Sequence, residues 1–149
     1  MPKLKVLFLC TGNACRSQMA EGWAKALQSD VIEAYSAGTQ PHSLDPRSVA
    51  VMAEAGVDIS GHTSKNVSDL MHIPFDVVVT VCDRASESCP LFPGKARIVH
   101  HGFQDPPKLA QGLAEDEALN PYRQVRDEIK AFIQTLPQAL NVQEKERSL

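Results

Sequence analysis

Residues 76–81, Asp-Val-Val-Val-Thr-Val, constrain the fold more than any other stretch. The run is β-branched almost throughout and shows no alternation of apolar and polar positions. A strand with one face in water alternates; one without alternation is covered on both faces. That requires a sheet held between helices, and the rest of the chain supplies the parts. Residues 3–9, 31–37 and 96–100 read as three more strands. Residues 17–28 read as a helix capped by Ser17, with Met19, Trp23 and Leu27 on one face. Residues 47–55 follow Pro46 at a first helical position and stop at Gly56, and residues 66–71 form a short helix that ends before Pro74. Asn120 reads as the cap of a last helix with Pro121 at its first position. Its apolar residues, Tyr122, Val125, Ile129, Phe132 and Ile133, recur at spacings of three and four up to Leu136, and Pro137 ends it. Residues 58–63 and 102–115 read as loops. Strands alternating with helices give an α/β class: one three-layer domain, residues 1–137, with a four-stranded parallel sheet flanked by helices, and a frayed C-terminal tail, 138–149.

A chain of 149 residues suffices for one domain with its own core. The formal net charge is -3 and no basic stripe is visible, which argues against a nucleic-acid or acidic-membrane surface. Any anionic ligand therefore needs a local site. The N-terminus is basic and then apolar, but the apolar run is too short to span a bilayer and lacks a cleavage signature. The expected compartment is the cytoplasm. The four cysteines, Cys10, Cys15, Cys82 and Cys89, match no zinc spacing. In a reducing compartment such thiols are catalytic, redox-active or simply buried.

In a parallel sheet, ligands sit at the carboxyl ends of the strands. Cys10 follows the first strand, and residues 11–16, Thr11-Gly12-Asn13-Ala14-Cys15-Arg16, lead into the helix near Ser17. Gly12 lets the backbone turn and Asn13 tolerates left-handed geometry. Such a loop aims successive amide protons inward, and the helix end adds its own. Arg16 supplies a fork of donors. The whole is a bowl for a tetrahedral dianion with a sulfur at its floor, and the same amides, with Ser17, favour a thiolate over a thiol. The competing reading is a helix cap with a buried cysteine and a surface arginine. A nucleotide-binding glycine-rich loop is excluded, because neither G-x4-G-K-[ST] nor G-x-G-x-x-G is present.

KVLFLCTGNACRSQMAE resembles the signature of the low-molecular-weight protein tyrosine phosphatase fold, and more closely its arsenate reductase branch. The phosphatases place Pro after the Arg-Ser pair, where this chain has Gln18. The resemblance spans roughly residues 3–136 and implies a set of roles. Cys10 is the nucleophile, the loop 11–17 binds the substrate arsenate, and Asp105 in HGFQDPP is the general acid. Cys82, at the end of the strand 76–81, attacks the sulfur of Cys10, and arsenic leaves as arsenite. Cys89, across the polar and movable linker DRASESC, then shifts the disulfide to Cys82–Cys89. Members with this third cysteine are regenerated by thioredoxin, itself reduced by its reductase. Cys15 is implied to be a small buried side chain outside the relay. No cofactor is implied, and the chain is expected to act as a monomer.

The chain departs from the family in places. Several reductases of this type bind potassium through positions matching Asn13, Glu21, Ser36, Thr63 and a carboxylate where this chain has Lys65. A lysine cannot ligand a cation, so no metal is expected, and Lys65 is expected to pair with Glu21. His101 replaces a tryptophan, and Gln104 an acidic residue, beside Asp105. The tyrosines that eukaryotic phosphatases place after the Asp-Pro pair are missing, which favours a small inorganic anion. Two alternatives stand beside arsenate reduction. One is a low-molecular-weight tyrosine phosphatase using the same bowl; the other is an oxyanion or redox sensor read out by the Cys82–Cys89 disulfide, which leaves Arg16 and Asp105 little to do.

Overall fold

The computed structural model describes residues 2–140. Its four strands are β1 (Leu4–Cys10), β2 (Ile32–Gly38), β3 (Val77–Thr80) and β4 (Arg97–His100). They lie in the order β2-β1-β3-β4, and each neighbouring pair is parallel. The helices are α1 (Arg16–Leu27), α2 (Pro46–Glu54), the short α3 (Pro106–Leu109) and α4 (Glu115–Gln134), with a 3-10 turn over Val67–Leu70.

β1 is the hub, with Leu7 opposite Tyr35 on one side and Val78 on the other. Successive side chains leave a strand on opposite faces. Val6 and Phe8 join a core with Met19 and Trp23 of α1 and Ile129 and Ile133 of α4, while Leu7 and Leu9 join a second core with Ala37, Phe75 and Val78. Val77, Val78 and Val79 are all fully buried. Burial of each such side chain contributes roughly 1.5–3 kcal/mol, so a sheet open to water on either face would forfeit a large part of this chain's stability. The unbroken apolar run of β3 is explained by that two-sided cover.

Two helix starts differ from the sequence expectation. α1 begins at Arg16 with Cys15 at the cap position, so Ser17 is not a cap but lies inside the first turn. Its hydroxyl is used elsewhere, as described below. α4 begins at Glu115 rather than at Pro121, which sits inside it. Glu115, Asp116 and Glu117 put negative charge in the first turn, where the helix dipole favours it. Pro121 removes the bond its own N–H would make to the carbonyl of Glu117, which is an exposed residue. The loop expected over 102–115 contains α3, which follows Asp105 at its cap position. Past Pro137, Leu140 is still fully buried, and residues 141–149 of the expected tail lie outside the described residues.

Because all four strands run the same way, their carboxyl ends share one edge. Cys10, the segment after Gly38, Val81-Cys82 and the segment after His100 all meet there.

Candidate active site

The segment after β1 is shaped from outside. The amides of Gln40, His42 and Asp45 donate to the carbonyls of Thr11, Gly12 and Ala14 at 2.9, 2.8 and 3.0 Å. In a trans peptide the C=O and the following N–H point in opposite directions. With those three carbonyls turned outward, the N–H groups of Gly12, Asn13 and Cys15 turn inward. The Asn13 N–H does so onto the Cys10 sulfur, 3.3 Å away. Asn13 takes φ 49°, the left-handed conformation that asparagine tolerates. Gly38 backs the loop so closely that a Cβ there would stand 2.3 Å from the Thr11 carbonyl oxygen. The result is a cavity of about 290 Å3 lined by residues 10–16 together with His42, Glu87, Asp105 and Pro107.

At the floor, Ser17 Oγ lies 2.9 Å from Cys10 Sγ and accepts a hydrogen bond from Asn13 Nδ2 at 2.8 Å. While accepting from the amide, the Ser17 hydroxyl keeps its own proton, which it can donate to the sulfur when Cys10 is a thiolate. The Asn13 amide is itself fixed. Its Oδ1 accepts from the Lys65 amide at 2.8 Å and from Gln18 Nε2 at 3.1 Å. Gln18 Nε2 also donates to the Asn13 and Thr63 carbonyls, both at 3.0 Å, and its Oε1 accepts from His62 Nδ1. Gln18 is thus a fully buried brace of the loop, a role no prolyl ring could supply. Sequence reasoning saw Gln18 only as a departure from the phosphatase pattern.

Arg16 enters the bowl with its side chain only 7% exposed. Nη1 donates to the Phe103 carbonyl at 3.0 Å and to Glu87 Oε2 at 2.7 Å, while Nη2 donates to Glu87 Oε1 at 2.9 Å. Asp105 Oδ1 is 3.6 Å from Nη2. Burial opposes the Arg16 charge, but the bond to Glu87 and the charges of Asp105 and Glu87 outweigh it and hold the guanidinium above its ordinary pKa. Burial pushes the Asp105 carboxyl above its ordinary range; Arg16 pulls it down, and the negative charge of Glu87 adds to the rise. A carboxyl so placed holds a proton longer as pH rises, which suits a general acid. The loop that carries it is anchored by a stack in which the His101 ring lies 4.1 Å from Phe132 and 4.9 Å from Phe103. Sequence reasoning passed over Glu87, which looks like one more polar residue in DRASESC.

Register explains the position of the remaining sulfurs. Leu9 pairs with Thr80, so Cys10 is level with Val81 and Cys82 is the next residue beyond. Cys82 is fully buried and forms a disulfide with Cys89, with Cα atoms 5.6 Å apart. Cys10 and Cys15 are free thiols. Burial holds the Cys15 thiol far above its ordinary pKa, so it is an inert packing residue. The ring of His100 and the two bonded sulfurs lie within 4.8 Å of one another. Bonded to each other, the sulfurs have no thiolate to offer a metal.

The positions that match the family's potassium ligands do come together. The Ser36 hydroxyl donates to Glu21 Oε1. Lys65 Nζ donates to the Thr63 carbonyl at 2.7 Å and stands 3.9 Å from Glu21 Oε1. An ammonium among those oxygens repels a second cation, so the donor set does not fit a metal ion.

Comparison with known proteins agrees with this architecture. Residues 5–146 match the family model for low molecular weight phosphotyrosine protein phosphatase. An arsenate reductase of Halalkalibacterium halodurans is 45% identical over 135 residues, covering 91% of this chain and 96% of that protein. Among solved structures, an arsenate reductase in the phosphate binding state superposes with a TM-score of 0.73 at 32% identity, over 89% of this chain and 95% of that one. The thioredoxin-dependent arsenate reductase of Corynebacterium glutamicum gives 0.67 at 25% identity, over 95% of this chain and 64% of that one.

Proposed function

The chain belongs to the low molecular weight phosphotyrosine protein phosphatase family, and within it we infer an arsenate reductase that works by a three-cysteine relay and is regenerated by thioredoxin. One observation carries the reading: a disulfide, Cys82–Cys89, at the strand end next to the nucleophile Cys10. A hydrolytic phosphatase needs the bowl, Arg16 and Asp105, but has no use for a redox pair there.

Arsenate enters the bowl against the inward amides and Arg16. The Cys10 thiolate, supported by the Ser17 hydroxyl and the Asn13 amide, attacks arsenic. Asp105 protonates the departing oxygen, which leaves as water. The Cys82 thiolate then attacks Cys10 Sγ. The sulfur–arsenic bond breaks with its electron pair going to arsenic, which departs as arsenite, and a Cys10–Cys82 disulfide remains. Cys89 attacks Cys82 and releases Cys10 as thiolate. The resulting Cys82–Cys89 bond is the one present in the structure. A thioredoxin dithiol reduces it by exchange, so two electrons enter for each arsenite formed.

The relatives named for this activity, one of them named as thioredoxin-dependent, support the reading. It carries with it a reducing compartment, the cytoplasm, and a monomer as the working unit. Among the described residues no helix is long and apolar enough to cross a membrane. The test is arsenate-dependent oxidation of NADPH in the presence of thioredoxin and thioredoxin reductase, with glutaredoxin and glutathione in a parallel arm. Turnover in the first arm alone is expected; turnover only in the second would remove thioredoxin from the account.

A further inference from the structure

Arg16 is the group on which an oxyanion closes, and both of its terminal nitrogens are already engaged. They reach the two oxygens of Glu87 at 2.7 and 2.9 Å, the fork-to-fork geometry that a guanidinium adopts with a carboxylate and a tetrahedral oxyanion alike. Glu87 lines the same cavity as Cys10. Burial would raise its pKa, but the bonds from Arg16 and the Asp83 amide outweigh that and keep the carboxyl below its ordinary range, and so charged.

The location of Glu87 in the chain gives this contact its meaning. It lies two residues before Cys89, on the segment that the Cys82–Cys89 disulfide closes into a ring. Within that ring the Asp83 amide donates to Glu87 Oε2 at 3.1 Å, and the Glu87 amide donates to the Asp83 carbonyl at 2.9 Å. The disulfide and the turn it closes therefore present the carboxylate to Arg16. Reduction removes the covalent closure and lets the segment leave. Once the segment leaves, the carboxylate still beside Arg16 is Asp105, whose Oδ1 is 3.6 Å from Nη2 and makes no hydrogen bond to it. The fork that Glu87 filled is left open to an incoming anion, and a buried guanidinium with its donors unfilled is costly.

Taking its order of events from the arsenate reductase reading, we propose that Glu87 is an internal ligand of the oxyanion site, seated on Arg16 while the Cys82–Cys89 disulfide closes its segment and displaced by substrate once the enzyme is reduced. Oxyanion affinity is then set by redox state. The oxidised enzyme, which has no electrons to give, declines substrate, and the arginine stays paired throughout the cycle. By linkage, an oxyanion that favours the open segment favours the dithiol by the same factor.

The probe is inorganic phosphate, titrated calorimetrically into the full chain in its reduced and its disulfide forms. Oxidised wild type is expected to bind at least ten-fold more weakly than reduced wild type. Glu87→Gln, which keeps the shape and drops the charge, is expected to tighten binding by the oxidised form and close that gap. Saturating phosphate should also shift the exchange in which the Cys82–Cys89 disulfide becomes two thiols while dithiothreitol becomes its cyclic disulfide. A ten-fold coupling corresponds to about 30 mV for this two-electron couple, and Glu87→Gln should lose it. Equal phosphate affinity in the two wild-type forms would overturn the proposal. So would a Glu87→Gln protein that binds phosphate more weakly in both forms, since Glu87 would then brace Arg16 rather than compete for it. Neither measurement involves arsenate, so failure here leaves the reductase reading standing, and a failure of arsenate turnover leaves this coupling measurable.

Discussion

Lys65 Nζ sits between the Thr63 carbonyl, at 2.7 Å, and Glu21 Oε1, at 3.9 Å. The same lysine gives its backbone N–H to Asn13 Oδ1, and the other end of that amide donates to Ser17 against the Cys10 sulfur. The ammonium thus lies among the oxygens of positions that the resemblance matches to potassium ligands, and it belongs to the residue that orients the loop. Potassium should therefore leave both melting temperature and turnover unchanged against sodium at equal ionic strength. Lys65→Asp should create a potassium response in the melting temperature. A potassium-specific gain of several degrees in the wild type would show that the oxygens still take a cation.

Asp105 predicts the shape of a pH profile. Its folded pKa is raised, chiefly by burial, so the acid form persists to higher pH than for an exposed aspartate. The single-turnover rate of arsenite release should fall as pH rises through that value. Asp105→Asn should lose this limb and run about 10²–10⁴-fold slower, the usual scale of general acid catalysis. The stability sign follows from the same shift. A carboxyl that binds its proton more tightly when folded contributes stability at low pH that is lost as pH rises through the folded pKa. Asp105→Asn should therefore unfold no earlier than wild type at neutral pH. An Asp105→Asn enzyme with an unaltered descending limb would assign that limb to another group.

Tyr122 reaches from α4 to the outer wall of the loop. Its hydroxyl donates to Asp45 Oδ2 at 2.6 Å, Asp45 Oδ1 caps α2 through the Arg47 amide, and the Asp45 amide holds the Ala14 carbonyl. Tyr122→Phe removes one charge-assisted bond from a buried phenol, at a cost of about 1–2 kcal/mol. For a domain of this size that is roughly 2–4 °C of melting temperature per kcal/mol. The looser wall should raise KM for arsenate more than it lowers kcat. A Tyr122→Phe enzyme that loses stability with KM unchanged would confine Asp45 to capping α2.

What could be read from sequence divides along physical lines. Period and spacing are local, so the alternation of strands and helices along the chain, the two-sided cover of Val77–Thr80 and the strand–loop–helix around Cys10 were all legible. The start at Pro46 was legible too, but that of α4 was not, because Asn120-Pro121 is as good a start signal as any, and only the packing of α4 and its acidic first turn select Glu115 instead. The Ser17 hydroxyl has the right chemistry for a cap and also for the Cys10 sulfur. Sequence cannot decide between two acceptors whose positions depend on the folded loop. Glu87 was invisible for a stronger reason. Its partner lies 71 residues away, and neither spacing nor composition marks one carboxylate among several in a polar turn.

The proposed relay makes the strictest prediction, because it gives Cys82 and Cys89 different tasks. Cys82 ends the buried strand beside Cys10, while Cys89 lies across the turn. Arsenate is added to fully reduced enzyme without thioredoxin, arsenite is counted per chain, and disulfides are mapped by peptide mass after blocking free thiols. Wild type should release one arsenite and stop with Cys82 bonded to Cys89. Cys89→Ser should also release one, since Cys82 is still present to attack, but its bond should join Cys10 to Cys82. It should turn over poorly with thioredoxin, because nothing has moved the bond away from the buried floor of the site. Cys82→Ser should release essentially none, yet keep slow phosphatase activity through Cys10, Arg16 and Asp105. Cys10→Ser should lose both activities. Stoichiometric arsenite from Cys82→Ser would mean that an external thiol attacks the arsenylated Cys10 directly, and the Cys82–Cys89 bond would then have no part in turnover.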